Sequence, residues 1–143
     1  MPYTVCMNKI AYKSNHHVYY SCKYHVVWCP KYRRKVLVEE VAMRLTQIMR
    51  EVCQEHQAEV LSLEVMPDHV HVLVSYPPDV ALADFLREAK SESARRVNSA
   101  RLDAQRVRWC RGYYAGSLSR DHVITARSYL GRQFQRHANR IPR

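Results

Sequence analysis

A short hairpin in the middle of the chain limits the fold more than any other feature. Two strand-like segments, residues 58–66 and 69–76, are separated only by Pro67 and Asp68. So short a connection requires the two strands to run antiparallel and to pair with each other. Both segments are rich in Val and Leu, so we expect the hairpin to pack one of its faces against other elements.

The remaining patterns predict an α+β arrangement around this hairpin. Residues 16–28 and 107–117 have the β-branched and aromatic composition of strands. Residues 36–57, 77–98 and 119–140 carry apolar side chains at helical spacing. In the second of these, Pro77 and Pro78 are expected before the helix and Asp79 at its cap. The order β-α-β-β-α-β followed by a helix is that of a ferredoxin-like, RRM-like fold, with a four-stranded antiparallel sheet and two helices on one face.

Length and composition predict a single domain over residues 1–143, with residues 1–15 and 139–143 as flexible or peripheral ends. The chain contains no apolar run that matches a signal peptide or a membrane span. We therefore expect a cytoplasmic protein without a membrane partner. The five cysteines are scattered and form no CxxC pair, which favours reduced thiols over a zinc site.

Positive charge is concentrated in the second part of the chain. Residues 1–86 contain nine Lys or Arg and nine Asp or Glu, whereas residues 87–143 contain fourteen and four. Thirteen of those fourteen basic residues are arginine, which can hold a phosphate through two donors at once. This asymmetry favours a nucleic-acid partner, although a solvated basic surface would have the same composition.

Two histidines interrupt the second strand of the hairpin. Side chains alternate across a strand, so the three valines of residues 69–76 face one way and His69 and His71 the other. The same alternation in the first strand places Lys23 and His25 on the histidine face. Two imidazoles at i and i+2 can bind one divalent ion. Such a pair is also common as a structural feature, and a metal would need a third ligand.

The terminal helix offers both a ligand and a nucleophile. Tyr129 and Gln133 are four residues apart and therefore share a helix face. A glutamine carbonyl can complete a divalent site, and a tyrosine hydroxyl beside a metal can attack a phosphate. For any one of ten tyrosines, packing is the commoner role, and spacing alone does not separate the two.

Taken together, these residues resemble a known family. "MPDHVHVLV" (66–74) is similar to the HUH motif, in which two histidines flank a hydrophobic residue on a strand. "YLGRQ" (129–133) resembles the helix-borne Tyr-x-x-x-Gln of the small single-tyrosine HUH transposases of bacterial and archaeal insertion sequences. Residues 24–37 also resemble the N-terminal stretch of that family. The similarity extends over roughly residues 17–137.

The resemblance implies a complete reaction centre. His69, His71 and Gln133 would bind Mg²⁺ or Mn²⁺, and Tyr129 would attack single-stranded DNA to form a 5′-phosphotyrosine. The partners would be DNA with imperfect hairpins at the element ends and a second copy of the chain. The active site would form within one subunit or be completed in trans by the tyrosine helix of the other.

Supporting residues are also implied near this centre. Lys90, Arg95 and Arg96 are predicted to contact DNA phosphates. Asp68 is interpreted first as a turn-forming residue and second as support for the metal site. His25 is interpreted as a neighbour of the site rather than a ligand.

Two other functions stay open at this point. One is a domesticated relative that processes dispersed chromosomal hairpin repeats by the same chemistry. The other is a non-catalytic module that binds single-stranded nucleic acid through basic residues and exposed aromatics such as Tyr19, Tyr113 and Tyr114.

Overall fold

The computed structural model describes residues 13–14, 19–99 and 106–118. In these ranges the strands are β1 (Lys13–Ser14), β2 (Tyr19–Tyr20), β3 (Lys23–Trp28), β4 (Glu59–Met66), β5 (His69–Ser75) and β6 (Tyr114–Leu118). The helices are α1 (Glu39–Glu55) and α2 (Leu82–Ser99), and a short 3-10 helix covers Lys31–Arg33. None of the helices in the described ranges is long and apolar enough to cross a membrane.

Four of these strands form one antiparallel sheet in the order β4-β5-β3-β6. The hairpin strand β5 is central, because it pairs with β4 on one side and with β3 on the other. With α1 after β3 and α2 after β5, this arrangement confirms the predicted ferredoxin-like fold. The predicted helix 119–140 lies outside the described residues.

The hydrophobic core fills the space between the sheet and the two helices. The valines of β5 are at most 1% exposed, and Val26 of β3 is fully buried beside them. The helices contribute apolar residues at helical spacing, which are Leu45, Ile48, Met49 and Val52 of α1 and Phe85, Leu86, Ala89 and Val97 of α2. Each large side chain buried in this way stabilises the fold by about 1.5–3 kcal/mol. Alternation along β5 therefore assigns its valines to the core, as predicted.

Three element boundaries differ from the prediction. The first strand is divided, because β2 pairs with β1 and only Lys23–Trp28 joins the main sheet. The second helix begins at Leu82, two residues later than a cap at Asp79 predicts, after a turn closed by the bond from the Val80 amide to the Pro77 carbonyl.

The last strand also begins later than predicted, at Tyr114 rather than at residue 107. The carbonyls of Cys110, Arg111 and Gly112 accept hydrogen bonds from the Lys90 ammonium group of α2, at 2.7, 3.2 and 3.3 Å. These carbonyls are therefore directed at a helix and not at a neighbouring strand, which explains why regular pairing starts only after them.

Candidate active site

The sheet face opposite the helices carries the polar residues that alternation predicted there. Lys23, His25, His69 and His71 are all buried on it, and none is more than 6% exposed. His25 of β3 lies opposite Leu73, and Val27 lies opposite His71. The imidazole rings of His25 and His71 are consequently diagonal neighbours, with centroids 4.3 Å apart and planes inclined by 32°. The central strands thus bring three histidines together away from the core.

Asp68, in the turn between β4 and β5, is hydrogen-bonded to the first of these histidines. Its Oδ1 lies 2.8 Å from Nδ1 of His69, and its Oδ2 accepts a bond of 2.7 Å from Nη2 of Arg33. An ionised carboxylate only accepts hydrogen bonds, so Nδ1 of His69 carries the shared proton. In the neutral ring the lone pair is then on Nε2, the nitrogen that would bind a metal.

The electrostatics of this pair keep Asp68 ionised. Burial raises the pKa of the Asp68 carboxyl, but the hydrogen bond with His69 and the charge of Arg33 outweigh it and hold the pKa below its ordinary value. The backbone supports the same arrangement, since the amide of Leu37 donates to the carbonyl of Pro67 at 3.0 Å. The loop after β3 is thereby fastened to the turn that precedes the histidine strand.

The donor set fits part of a metal site. Two imidazoles, one of them oriented by a carboxylate, are common ligands of divalent transition metals. Within the described ranges, no group of three or more His, Cys, Asp or Glu side chains is arranged to hold a metal ion. Tyr129 and Gln133, predicted as nucleophile and third protein ligand, lie outside the described residues.

The residues predicted to contact DNA phosphates all have protein partners. Lys90 donates to three carbonyls before β6, which gives it a structural role. Arg95 pairs with Glu92, and Arg96 pairs with both Glu92 and Glu55. Arg95 is nevertheless 65% exposed in its side chain and accessible to a ligand. Phosphate contacts by these three residues stay a prediction.

Sequence reasoning missed two parts of this face. One is the contact of Arg33 with Asp68, 35 residues away, which nothing in the local sequence indicates. The other is the packing of Tyr114 of β6, which is half-buried beside Gly116 rather than exposed as the sequence suggested. The Tyr114 ring lies edge-on to His25, with centroids 5.5 Å apart. A Cβ at position 116 would lie 2.7 Å from the Tyr114 hydroxyl, so glycine makes room for this ring on the histidine face.

Comparison with known proteins identifies the family. Residues 18–133 match the family described as "Transposase IS200 like". The IS200 transposase of Salmonella typhimurium is 32% identical over 128 residues, which are 86% of this chain and 84% of the relative. The ISDra2 transposase TnpA of Deinococcus radiodurans is 49% identical over 78 residues, 54% of this chain and 56% of that protein. That second alignment therefore spans little more than half the relative's length.

Two solved structures share the fold. A crystal structure of a candidate transposase from Deinococcus radiodurans R1 has a TM-score of 0.66 and 34% identity, with 88% of this chain and 98% of that chain covered. A REP-associated tyrosine transposase bound to a REP hairpin has a TM-score of 0.55 and 18% identity, with 82% of this chain and 74% of that chain covered. This second likeness concerns the fold alone. The family match covers residues 18–133, and the alignment with the Salmonella protein covers most of both chains. Together they show that the chain belongs to the IS200-like transposase family.

Proposed function

We propose that this protein is a transposase that cleaves and rejoins single-stranded DNA through a 5′-phosphotyrosine, at element ends marked by hairpins. The observation that carries the proposal is the buried histidine face of β5 in a member of this family. His69 and His71 lie there on one side of a central strand, and His69 is oriented by Asp68. Such orientation is typical of metal-binding histidines.

His69, His71 and Gln133 are the residues that would hold a divalent ion. The shared proton on Nδ1 of His69 supports coordination through Nε2. Mg²⁺ prefers oxygen ligands, so two imidazoles favour Mn²⁺ of the two ions considered. When bound, the ion would polarise the scissile phosphate and stabilise its developing charge.

The chain's own residues would perform the strand exchange. The hydroxyl oxygen of Tyr129 attacks the phosphorus, a Tyr–O–P bond forms and the bond to the 3′ oxygen breaks. The tyrosine proton is lost to solvent or a nearby base, and the leaving oxygen gains a proton to become a 3′-hydroxyl. Rejoining is the reverse reaction, in which a 3′-hydroxyl attacks the phosphotyrosine and releases Tyr129. The phosphodiester count is unchanged, so no nucleotide cofactor is consumed.

The proposed partners are hairpin-bearing single-stranded DNA and a second copy of the chain. The net charge of +10 supports a polyanionic partner, and Arg95 is the most accessible of the three predicted phosphate contacts. An identity of 32% with an insertion-sequence transposase, in an alignment that covers 86% of the chain, supports the mobile-element role over a domesticated one. The likeness to the REP-associated protein, by contrast, is one of fold.

A mixing experiment would determine whether the active site forms within one subunit or between two. Protein with His71→Ala and protein with Tyr129→Phe are each expected to be inactive alone. If the tyrosine acts in trans, mixed dimers hold one working site, so an equimolar mixture regains about a quarter of wild-type activity. If the tyrosine acts within its own subunit, the mixture stays inactive.

Adduct formation tests the function itself. Wild-type protein is incubated with Mn²⁺ and a labelled single strand that carries an imperfect hairpin, and covalent complexes are separated on denaturing gels. Tyr129→Phe is expected to abolish the adduct, whereas Tyr19→Phe, at a tyrosine that is 83% exposed, leaves it unchanged. An adduct that persists in Tyr129→Phe would show that the nucleophile is another residue. DNA binding without any adduct in wild type would favour the non-catalytic binding module.

A further inference from the structure

The loop that follows β3 forms one wall of a strongly basic pocket of about 300 Å³. This volume is at the lower end of the ~300–1,000 Å³ typical of ligand pockets. The lining residues are Pro30, Lys31, Tyr32, Arg34, Val36, Arg106 and Arg108. Four of the seven are cations, and the described lining includes no carboxylate. Among the described lining residues, the positive charge of the pocket therefore has no carboxylate counter-ion.

The backbone of this pocket is fixed by pairing between two distant segments. The amide of Lys31 donates to the carbonyl of Arg108 at 2.7 Å, and Pro30 forms a β-bridge with Trp109. Next to that bridge, the amide of Cys110 donates to the carbonyl of Cys29 at 3.0 Å. The cations are therefore carried by a braced backbone, so that their positions relative to one another are set before any ligand arrives.

Tyr32 lines this pocket with a largely exposed side chain. It has φ = 62°, an uncommon value for a residue other than glycine, and its side chain is 61% exposed. Nζ of Lys31 and Cζ of Arg34 lie 5.6 and 5.4 Å from the centre of its ring. Exposure of a large aromatic ring among cations is the composition of a site for single-stranded nucleic acid, where a base stacks and cations hold the backbone.

The next residue connects the pocket to the histidine face. Arg33 also has a positive φ, of 52°, and its side chain is only 9% exposed because it turns inward to Asp68. Asp68 in turn contacts His69. The side chains of these adjacent residues therefore point in opposite directions, that of Tyr32 toward solvent and that of Arg33 toward Asp68.

We propose that this pocket binds one nucleotide of a single DNA strand, with the base stacked on Tyr32 and the phosphate held by Arg34, Arg106 and Arg108. The inference rests on the proposed function for its ligand class. It adds a location for the strand, next to the turn that orients His69. A duplex stem would use the same cations but would have no unstacked base to place on Tyr32, and this difference separates the two forms of DNA in a test.

The experiment measures binding of a fluorescein-labelled oligo(dT) without a hairpin, and of a blunt duplex, by fluorescence anisotropy over a range of salt concentrations. Tyr32→Leu keeps an apolar side chain but removes the stacking ring, and we expect single-strand affinity to fall about 5- to 160-fold. Tyr32→Phe keeps the ring and is expected to bind as wild type. Duplex affinity is expected to be the same in all three proteins.

The phosphate contacts are tested by a matched pair of charge changes. Arg108→Gln is expected to lower the slope of log K against log salt for the single strand by about 0.7. Arg44→Gln removes the same charge from the exposed face of α1, away from the pocket, and leaves the slope unchanged. Thermal melting of each variant verifies that the protein is folded.

The pocket assignment and the proposed function fail in different ways. If Tyr32→Leu binds oligo(dT) as wild type does, or if Arg108→Gln and Arg44→Gln have equal slopes, the pocket assignment is wrong. The Tyr129 adduct can still form in that case. If wild-type protein forms no adduct but the Tyr32 and Arg108 effects are observed, the transposase chemistry is wrong and the pocket stands.

Discussion

Replacing Asp68 with asparagine tests how the turn supports the histidine site. Asn has the shape of Asp and can still accept a hydrogen bond from Nδ1 of His69, but it carries no charge. Both contacts of the carboxylate are affected, at 2.8 Å to His69 and at 2.7 Å to Arg33. The amide can also rotate and donate from its NH₂ group to Nδ1 of His69. The proton of the neutral ring would then be on Nε2, and this nitrogen could not bind a metal. We therefore expect Asp68→Asn to weaken metal binding and to destabilise the fold.

Burial determines the size of both effects. The side chains of Arg33, Asp68 and His69 are 9%, 17% and 3% exposed, so solvent screens their contacts only partly. Hydrogen bonds to charged groups contribute about 1.5–3 kcal/mol, and the free energy of unfolding should fall by an amount in this range. Loss of the group that orients a metal-binding histidine typically weakens metal affinity about 10- to 100-fold. We expect a Mn²⁺ affinity lowered by this factor.

Isothermal titration with Mn²⁺ and urea unfolding measure these two quantities. The control is Asp84→Asn, the same substitution in an exposed pair with Arg87, whose two side chains are 63% and 70% exposed. A surface pair of this kind contributes about 0–1 kcal/mol, and its loss should leave Mn²⁺ binding unchanged. If Asp68→Asn binds Mn²⁺ with wild-type affinity while His69→Ala does not bind it, Asp68 has no orienting role and is a turn-forming residue alone.

Three further outcomes follow from burial and placement. His71→Ala should abolish Mn²⁺ binding in calorimetry, whereas His56→Ala, at the end of α1, should not; equal binding would exclude His71 as a ligand. Leu86→Ala, at a core position 1% exposed, should lower the unfolding free energy by about 2–5 kcal/mol in urea, and a loss under 1 kcal/mol would contradict the assigned core. Burial raises the pKa of Cys29 and Cys53 to about 12, so iodoacetamide near neutral pH should label them only after unfolding, as mass spectrometry would detect.

The hairpin and its histidine face could be predicted because both depend on local pattern. A two-residue connection determines that neighbouring strands are antiparallel, and period-two alternation determines which side chains share a face. These two rules place His69 and His71 opposite the valines of β5 without any knowledge of distant contacts. The position of His25 required one further assumption, the strand order of the ferredoxin-like fold, which the pairing of β3 with β5 confirms.

The parts that sequence reasoning missed depend on contacts between distant residues. Arg33 and Asp68 are 35 residues apart, and Lys90 reaches carbonyls 20 to 22 residues further on. The hydrophobic periodicity of the sequence does not predict such contacts, because each depends on how the loops pack after the sheet has formed. Lys90 illustrates the consequence, since a basic residue on a helix has the same sequence signature whether it binds DNA or holds a loop in place.

The central hairpin makes stability and the candidate site depend on the same register. A shift of one residue in β5 would direct its histidines into the core and its valines onto the opposite face. In β4 the register shifts between Val60 and Ser62, so that Leu61 is an extra residue relative to β5. Beyond it, Leu63 packs with the core, and Glu64 lies opposite His71 in the strand register. The irregularity therefore keeps apolar side chains on the helix side at both ends of β4, and deleting Leu61 should remove it. Without Leu61, Val60 and Ser62 would be consecutive and would keep their partners Val74 and Leu73. Alternation would then leave Leu63 on the core face and Glu64 opposite His71, so we expect this deletion to preserve the histidine face.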